Sequence, residues 1–125
     1  MEKYQIILAT QNQDKVREIK NIIKSDYFEL ISLDAFDEVE EVAEDGETLL
    51  ENATKKAEAI FQKFKVPTLA DDTGLEVDYL EGKPGVRSSR FAGEHATYEE
   101  NNKKLLDFLK GVPWEERTAR FRTLV

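Results

Sequence analysis

Cysteine is absent from the 125 residues, which excludes a disulfide framework and any thiolate metal site. No apolar run approaches the ~20 residues that span a bilayer. The opening MEKYQIILAT is too short and too polar for a secretory signal and reads as a first strand. A soluble cytoplasmic protein without a membrane partner is the expectation. Histidine and tryptophan occur once each. His95 reads as a loop residue rather than a ligand, and Trp114 as a packing anchor rather than a base-stacking platform. No repeat or low-complexity segment interrupts the chain. Basic charge is scarce too, with 18 Lys and Arg against 26 Asp and Glu for a net charge of −8. Residues 1–82 hold 20 acidic and 9 basic side chains, whereas residues 83–125 hold 6 and 9. An acidic body argues against nucleic acid as a partner, which needs a basic face. It suits a divalent cation, or is simply a solvated face.

What is present is enough apolar material, 40% of residues, to build the core of one small domain or part of a larger one. Tyr4–Ala9 reads as a buried strand. Val16, Ile19, Ile22 and Ile23 recur at helical spacing between Asp14 and Lys24, and Phe28–Leu33 reads as a second strand. An acidic connection, Asp34–Glu47, leads to the clearest helix. Thr48 and Glu51 have capping-box spacing there, and Leu49, Leu50, Ala53, Ala57, Ile60, Phe61 and Phe64 trace one apolar face until Pro67. Thr68–Ala70 predicts a short strand, Leu75–Leu80 alternates as another, and a loop with Gly82, Pro84 and Gly85 follows. Thr97 and Glu100 repeat the capping pattern ahead of a helix with Leu105, Leu106 and Leu109. Ala119–Val125 alternates again. Strands interleaved with helices predict an α/β fold. A strand pattern running to the last residue predicts an open edge and a chain that is missing a part.

Three stretches carry candidate chemistry. In ATQNQDK, between the first strand and first helix, Thr10, Asn12 and Lys15 surround a helix amino terminus, where unpaired N–H groups and partial positive charge attract phosphate. The loop has no glycine, so it is not a P-loop; an ordinary capped turn with a surface lysine is the competing reading. Asp71 and Asp72 follow a predicted strand, where open α/β sheets place ligands. Two adjacent carboxylates repel unless a cation, proton or donor separates them. Mg²⁺ takes one or two carboxylates and fills its shell with water and phosphate oxygens, and Glu44 could add another oxygen. A turn or helix cap would explain the same pair. Asn52 and Lys56 share a helix face, with Glu51 and Lys55 parallel to them. In EGKPGVRSSRFAG, glycines allow close backbone approach, and Arg87 and Arg90 can grip phosphate with two prongs. A surface loop with ion-paired arginines is the alternative.

Taken in order, these stretches resemble the inosine-triphosphatase (Ham1-like) family of nucleoside triphosphate pyrophosphatases. The family's A-T-x-N-x-x-K is matched by Ala9, Thr10, Asn12 and Lys15. Its E-x-G…E-N-A-x-x-K-A is matched by Glu44, Gly46, Glu51, Asn52, Ala53, Lys56 and Ala57. Asp71, Asp72, Thr73, Gly74, Leu75 and Val77 follow its D-D-S-G-L-x-V, with threonine in place of serine. Gly82, Pro84, Gly85, Val86, Ser88, Arg90, Phe91, Ala92 and Gly93 follow its G-x-P-G-V/I-x-S-x-R-[YF]-A-G. The resemblance implies a mixed β-sheet flanked by helices, two lobes and a nucleotide in the cleft between them, with residues 1–125 as one domain lacking part of its carboxyl-terminal lobe. It implies Mg²⁺-dependent hydrolysis of non-canonical purine triphosphates (ITP, dITP, XTP) to monophosphate and pyrophosphate. Thr10, Asn12, Lys15 and Lys56 would hold the triphosphate, with Asn52, Thr73 and Arg90 in the substrate-binding set. Glu44 and Asp72 would place Mg²⁺ and the attacking water, with Asp72 as general base and Asp71 supporting it. The family's F-x-Y-D-P loop and late Ser-His-Arg segment, which read the purine, have no match among these residues.

Two other enzyme families fit less well. A Maf-type pyrophosphatase would open on S-x-S-P-R-R, and a haloacid-dehalogenase-type phosphatase would need an aspartate where Thr73 stands. A catalytically weak or inactive nucleotide-binding fragment, drawing base recognition from a second chain, is the alternative to turnover. The open edge predicts a homodimer, a domain-swapped one included.

Overall fold

In the computed structural model, which describes residues 2–37 and 39–125, the first strand is central in a parallel sheet, with the second and third strands on either side of it. The elements run β1 (Tyr4–Leu8), α1 (Gln13–Ile22), β2 (Phe28–Ser32), α2 (Leu49–Phe64), β3 (Thr68–Leu69), β4 (Asp72–Val77), β5 (Lys83–Gly85), α3 (Tyr98–Phe108) and β6 (Ala119–Leu124). The fold is the expected mixed α/β type. Among the described residues its strands form two three-stranded sheets, β2-β1-β3 and β5-β4-β6. The chain divides into two units, one of residues up to Gly46, Leu50–Asp71 and Val125, the other of Glu47–Leu49 and Asp72–Leu124.

The first unit is built on parallel pairing. Tyr4–Leu8 pairs in register with Phe28–Ser32, and Ile7 and Leu8 pair with Thr68 and Leu69. The order 2-1-3 means that the crossover through α1 leaves β1 one way and the crossover through α2 returns past it the other way. Right-handed connections then bring the two helices to opposite faces of the sheet. A strand covered on both faces must be apolar on both, and Ile7 and Leu8 are fully buried. The outer half of β1 is not covered, since Tyr4 is 71% exposed; the expected buried strand is buried only where it enters the site. One core cluster joins Ile7, Ala9, Leu33, Ile60 and Ala70, with Ala57 and Phe64 of α2 packed against it. Burying side chains of this size contributes about 1.5–3 kcal/mol each. The helix ends at Phe64, and Lys65 turns left-handed with φ 55° before Pro67 is reached.

The second unit is antiparallel. The strand expected at Leu75–Leu80 lies at Asp72–Val77, because Asp72 to Val77 pair residue for residue with Leu124 to Ala119. Asp78–Leu80 turns away as a 3-10 helix and Glu81 takes a left-handed conformation. The expected loop at residues 82–85 contains the short strand β5, which pairs with Leu75–Val77. Val77 packs with Leu109 and Val112 of the α3 end, joined by Leu75, Leu80 and Leu105. The predicted capping box is complete: Thr97 accepts from the Glu100 N–H, and Glu100 accepts from the Thr97 N–H. Arg117 donates to the carbonyls of Leu109 and Val112, groups a helix end leaves over. Trp114 is no packing anchor. It is 85% exposed, in a 3-10 turn after Pro113.

Candidate functional site

At the carboxyl edge of the parallel sheet, β1 and β3 end side by side, with the Ala9 N–H donating to the Leu69 carbonyl at 2.8 Å. This is where the strand order reverses, the place at which open α/β sheets bind ligands. Just beyond β1, Thr10 is buried and its Oγ1 accepts from the Asn12 N–H at 3.1 Å. Asn12 is the N-cap of α1, and its Oδ1 accepts from the N–H groups of Asp14 and Lys15. The cap residue is thus engaged with its own helix, as an asparagine before a first turn should be. Lys15, one turn in, reaches across to Asp71 just beyond β3, with 3.1 Å between Nζ and Oδ2. Three of the expected phosphate ligands and one of the expected acids are therefore neighbours.

A second lysine–carboxylate pair stands on α2. Lys56, 8% exposed, lies 2.7 Å from Oε1 of Glu44. Lys55 pairs with Asp45, not with Glu51 along the helix as the four-residue spacing suggested. Asn52 is 1% exposed, and its Oδ1 accepts from the Gly46 N–H at 2.7 Å. Helix positions 52, 55 and 56 lie on one face, and together they hold the consecutive residues Glu44, Asp45 and Gly46. Nothing in the sequence points to Lys55–Asp45, since ten residues separate the partners along the chain.

In the second unit, Asp72 opens β4. It is 7% exposed, and its Oδ1 accepts from the Thr73 N–H at 3.1 Å. Thr73 meets Thr123 of β6, hydroxyl to hydroxyl, at 2.9 Å. Behind these residues the glycine-rich stretch works as a lock. A side chain on Gly74 would lie 2.5 Å from the Gly85 carbonyl oxygen, so only glycine fits. Ser88 accepts from the Leu75 N–H and donates to the Gly85 carbonyl. Asn101 and Lys104 of α3, which sequence reasoning missed, hold the carbonyls of Ser89 and Phe91; their three-residue spacing on a predicted helix was the available signal. Arg90 closes the 3-10 turn Ser88–Arg90 and is half-buried, while Arg87 is exposed. His95 sits in an exposed turn, as expected.

Among the described residues no three His, Cys, Asp or Glu side chains form a metal cage. Mg²⁺ requires less, since one or two carboxylates suffice when water and phosphate complete its octahedron. Oδ2 of Asp72 is shut away from solvent, and the partly exposed Glu44 supplies the same hard oxygen chemistry. Each carboxylate by itself is the kind of hard oxygen ligand that Mg²⁺ takes.

A family model described as the Ham1 family matches residues 6–125. The chain belongs to that family. The dITP/XTP pyrophosphatase of Geobacter sulfurreducens is 51% identical over 120 residues, covering 96% of this chain and 60% of the relative. That of Thermoanaerobacter sp. strain X514 is 50% identical, covering 96% and 61%. Two solved structures agree. The Ham1 protein of Staphylococcus aureus has a TM-score of 0.78 at 36% identity, covering 95% of this chain and 60% of that one. A HAM1 protein from Coxiella burnetii has a TM-score of 0.83 at 36% identity, covering 96% and 60%. The chain spans about 60% of the length of the curated relatives it matches. Within this Ham1 chain the first two motifs and Asp71 supply the charged groups of the parallel unit, and the last two motifs form the Gly74–Ser88 lock behind Asp72.

Proposed function

We propose that this chain carries the phosphate- and metal-binding part of a Mg²⁺-dependent pyrophosphatase acting on non-canonical purine triphosphates such as ITP, dITP and XTP. The observation that carries the reading is the Lys15–Asp71 pair beside the Asn12-capped helix start, at the carboxyl edge of the parallel sheet. The activity for which relatives about 50% identical are named, dITP/XTP pyrophosphatase, supports the substrate class.

In this mechanism the α1 amino terminus, Thr10 and Asn12 receive the phosphate tail, and Lys15 and Lys56 neutralise it. Thr73 and Arg90 complete the substrate set. Asp72 takes a proton from the water that attacks the α-phosphorus, the α–β bridging bond breaks, and pyrophosphate leaves with the charge that the lysines offset. Asp71 keeps Lys15 in place. Bound through Glu44 and Asp72, Mg²⁺ would supply charge neutralisation and lower the pKa of a water. A homodimer, swapped or not, is supported by β6, whose outer edge has no strand partner among the described residues and carries Phe121 at 76% exposure.

The alternative is a nucleotide-binding chain with weak or no turnover that draws base recognition from a second chain. Pyrophosphate release from dITP and XTP with Mg²⁺ separates the two. Turnover by the unmutated chain, reduced about 10²–10⁴-fold in a folded Asp72→Asn variant, supports the enzyme reading. Binding of dITP without pyrophosphate release supports the alternative, and activity of the Asp72→Asn variant within a few-fold of the original excludes Asp72 as the base.

A further inference from the structure

We infer that Asn52 is a positioning residue, which fixes Glu44 by holding the Gly46 backbone; the inference rests on the proposed role of Glu44 toward a divalent cation. The segment 44–46 has no regular secondary structure, so its own backbone does not set where the Glu44 carboxylate lies. Three side chains of α2 reach it. The lysine contacts, Lys56–Glu44 and Lys55–Asp45, are point charges on flexible stems, and the Lys55 pair is about half exposed on both sides. Neither fixes a backbone direction. The Asn52 contact does: it is a hydrogen bond of 2.7 Å to a main-chain N–H, made by a side chain 1% exposed.

Two further features point the same way. The Gly46 N–H can only donate, so the Asn52 amide oxygen must face it and Nδ2 is turned the other way. Nδ2 is then buried without a hydrogen-bond acceptor among the described residues. A buried amide kept with half its capacity unused is a poor choice for packing alone. Gly46 is equally constrained. A side chain there would lie 2.7 Å from Asn52 Oδ1 and 2.8 Å from Glu51 Cβ. Its glycine is required by the close approach to α2, since it is not among the residues with positive φ. Asn52 and Gly46 thus form one clamp, two residues along the chain from Glu44.

The sequence pattern had Asn52 in the substrate-binding set, and the two roles predict different measurements. In the nucleotide-free protein, Asn52→Ala should speed Gly46 amide hydrogen exchange roughly tenfold or more. Mg²⁺ titrated alone, followed by resonances of residues 44–46, should bind about tenfold more weakly, as when a ligand loses its supporting hydrogen bond. Affinity for tripolyphosphate without Mg²⁺ should stay within about twofold. Gly46→Ala attacks the clamp from the loop side and leaves α2 intact; it decides the question if Asn52→Ala fails to fold, and should weaken Mg²⁺ similarly. In the double variant the losses should not add. Unchanged Gly46 exchange, unchanged Mg²⁺ affinity, or a tenfold loss of tripolyphosphate affinity with Mg²⁺ binding intact each overturns the positioning role. Absence of pyrophosphate release by the unmutated chain would sink the proposed enzyme function, while exchange and Mg²⁺ binding still decide the role of Asn52.

Discussion

In the parallel unit, Lys15–Asp71 joins side chains 24% and 10% exposed, and Lys56–Glu44 joins side chains 10% and 37% exposed. In the antiparallel unit, Arg120–Asp78 and Lys110–Asp107 leave their side chains between 49% and 84% exposed. The parallel unit also holds exposed pairs, Arg17–Asp14 and Lys55–Asp45, so the contrast is between these kinds of pair. Exposed pairs contribute little, because water screens them and ordering long side chains costs entropy. Partly desolvated pairs are costly to assemble and costly to break one-sidedly, so their presence needs a reason beyond stability. The phosphate tail proposed to compete for the lysines would supply one. The antiparallel unit puts its close contacts into backbone packing instead, at Gly74 against Gly85 and at Ser88 between two strands.

The largest effect should come from that packing. Gly74→Ala sets a methyl group against a backbone carbonyl that no rotamer change can move, and should destabilise by about 3 kcal/mol or more. Chemical denaturation measures it, and a loss below about 1 kcal/mol would show that β4 and β5 separate freely. Next comes the charge contrast itself. Glu44→Gln leaves the Lys56 ammonium buried without its carboxylate and should cost about 1–3 kcal/mol, less than a fully buried pair because Glu44 keeps some water contact. Lys110→Ala should stay within about 0.5 kcal/mol. Equal losses from the two would erase the distinction between partly buried and exposed pairs.

The smallest effect is pH-dependent. The Asp78 carboxyl is held below its usual 3.8, first by the hydrogen bond from the Thr118 hydroxyl and then by the Arg120 charge. A depressed folded pKa gives stability that is present above the unfolded value and is lost as pH falls through the folded one. The Tm gap between the original chain and Asp78→Asn should be small and constant near neutral pH, then close as the pH drops past 3.8. A gap that widens on acidification would contradict the sign.

What was legible in the sequence was local. Asn12 and Thr97 announce their helices because a cap bonds to backbone within three residues, and the burial of Ala53 and Ile60 follows from helical periodicity. The start of β4 was not legible, since it is set by Leu124, far along the chain. Lys55 found Asp45 rather than Glu51 because an irregular segment folded back over the helix. Trp114 misled because size argues for burial while its turn leaves it nothing to pack on. Among site residues, Lys15, Asp71, Glu44 and Lys56 came from order along the chain, and their pairing into two ion pairs came only from three dimensions.

The central claim is that the lysines of those pairs meet a phosphate tail. Calorimetric titration of ITP and IMP into the original chain, Lys15→Ala and Lys56→Ala tests it most directly. Each substitution should weaken ITP by roughly 10–100-fold, as expected for lost charge-assisted contacts of about 1.5–3 kcal/mol, and weaken IMP far less. Equal losses for ITP and IMP, or none for either, would contradict the account.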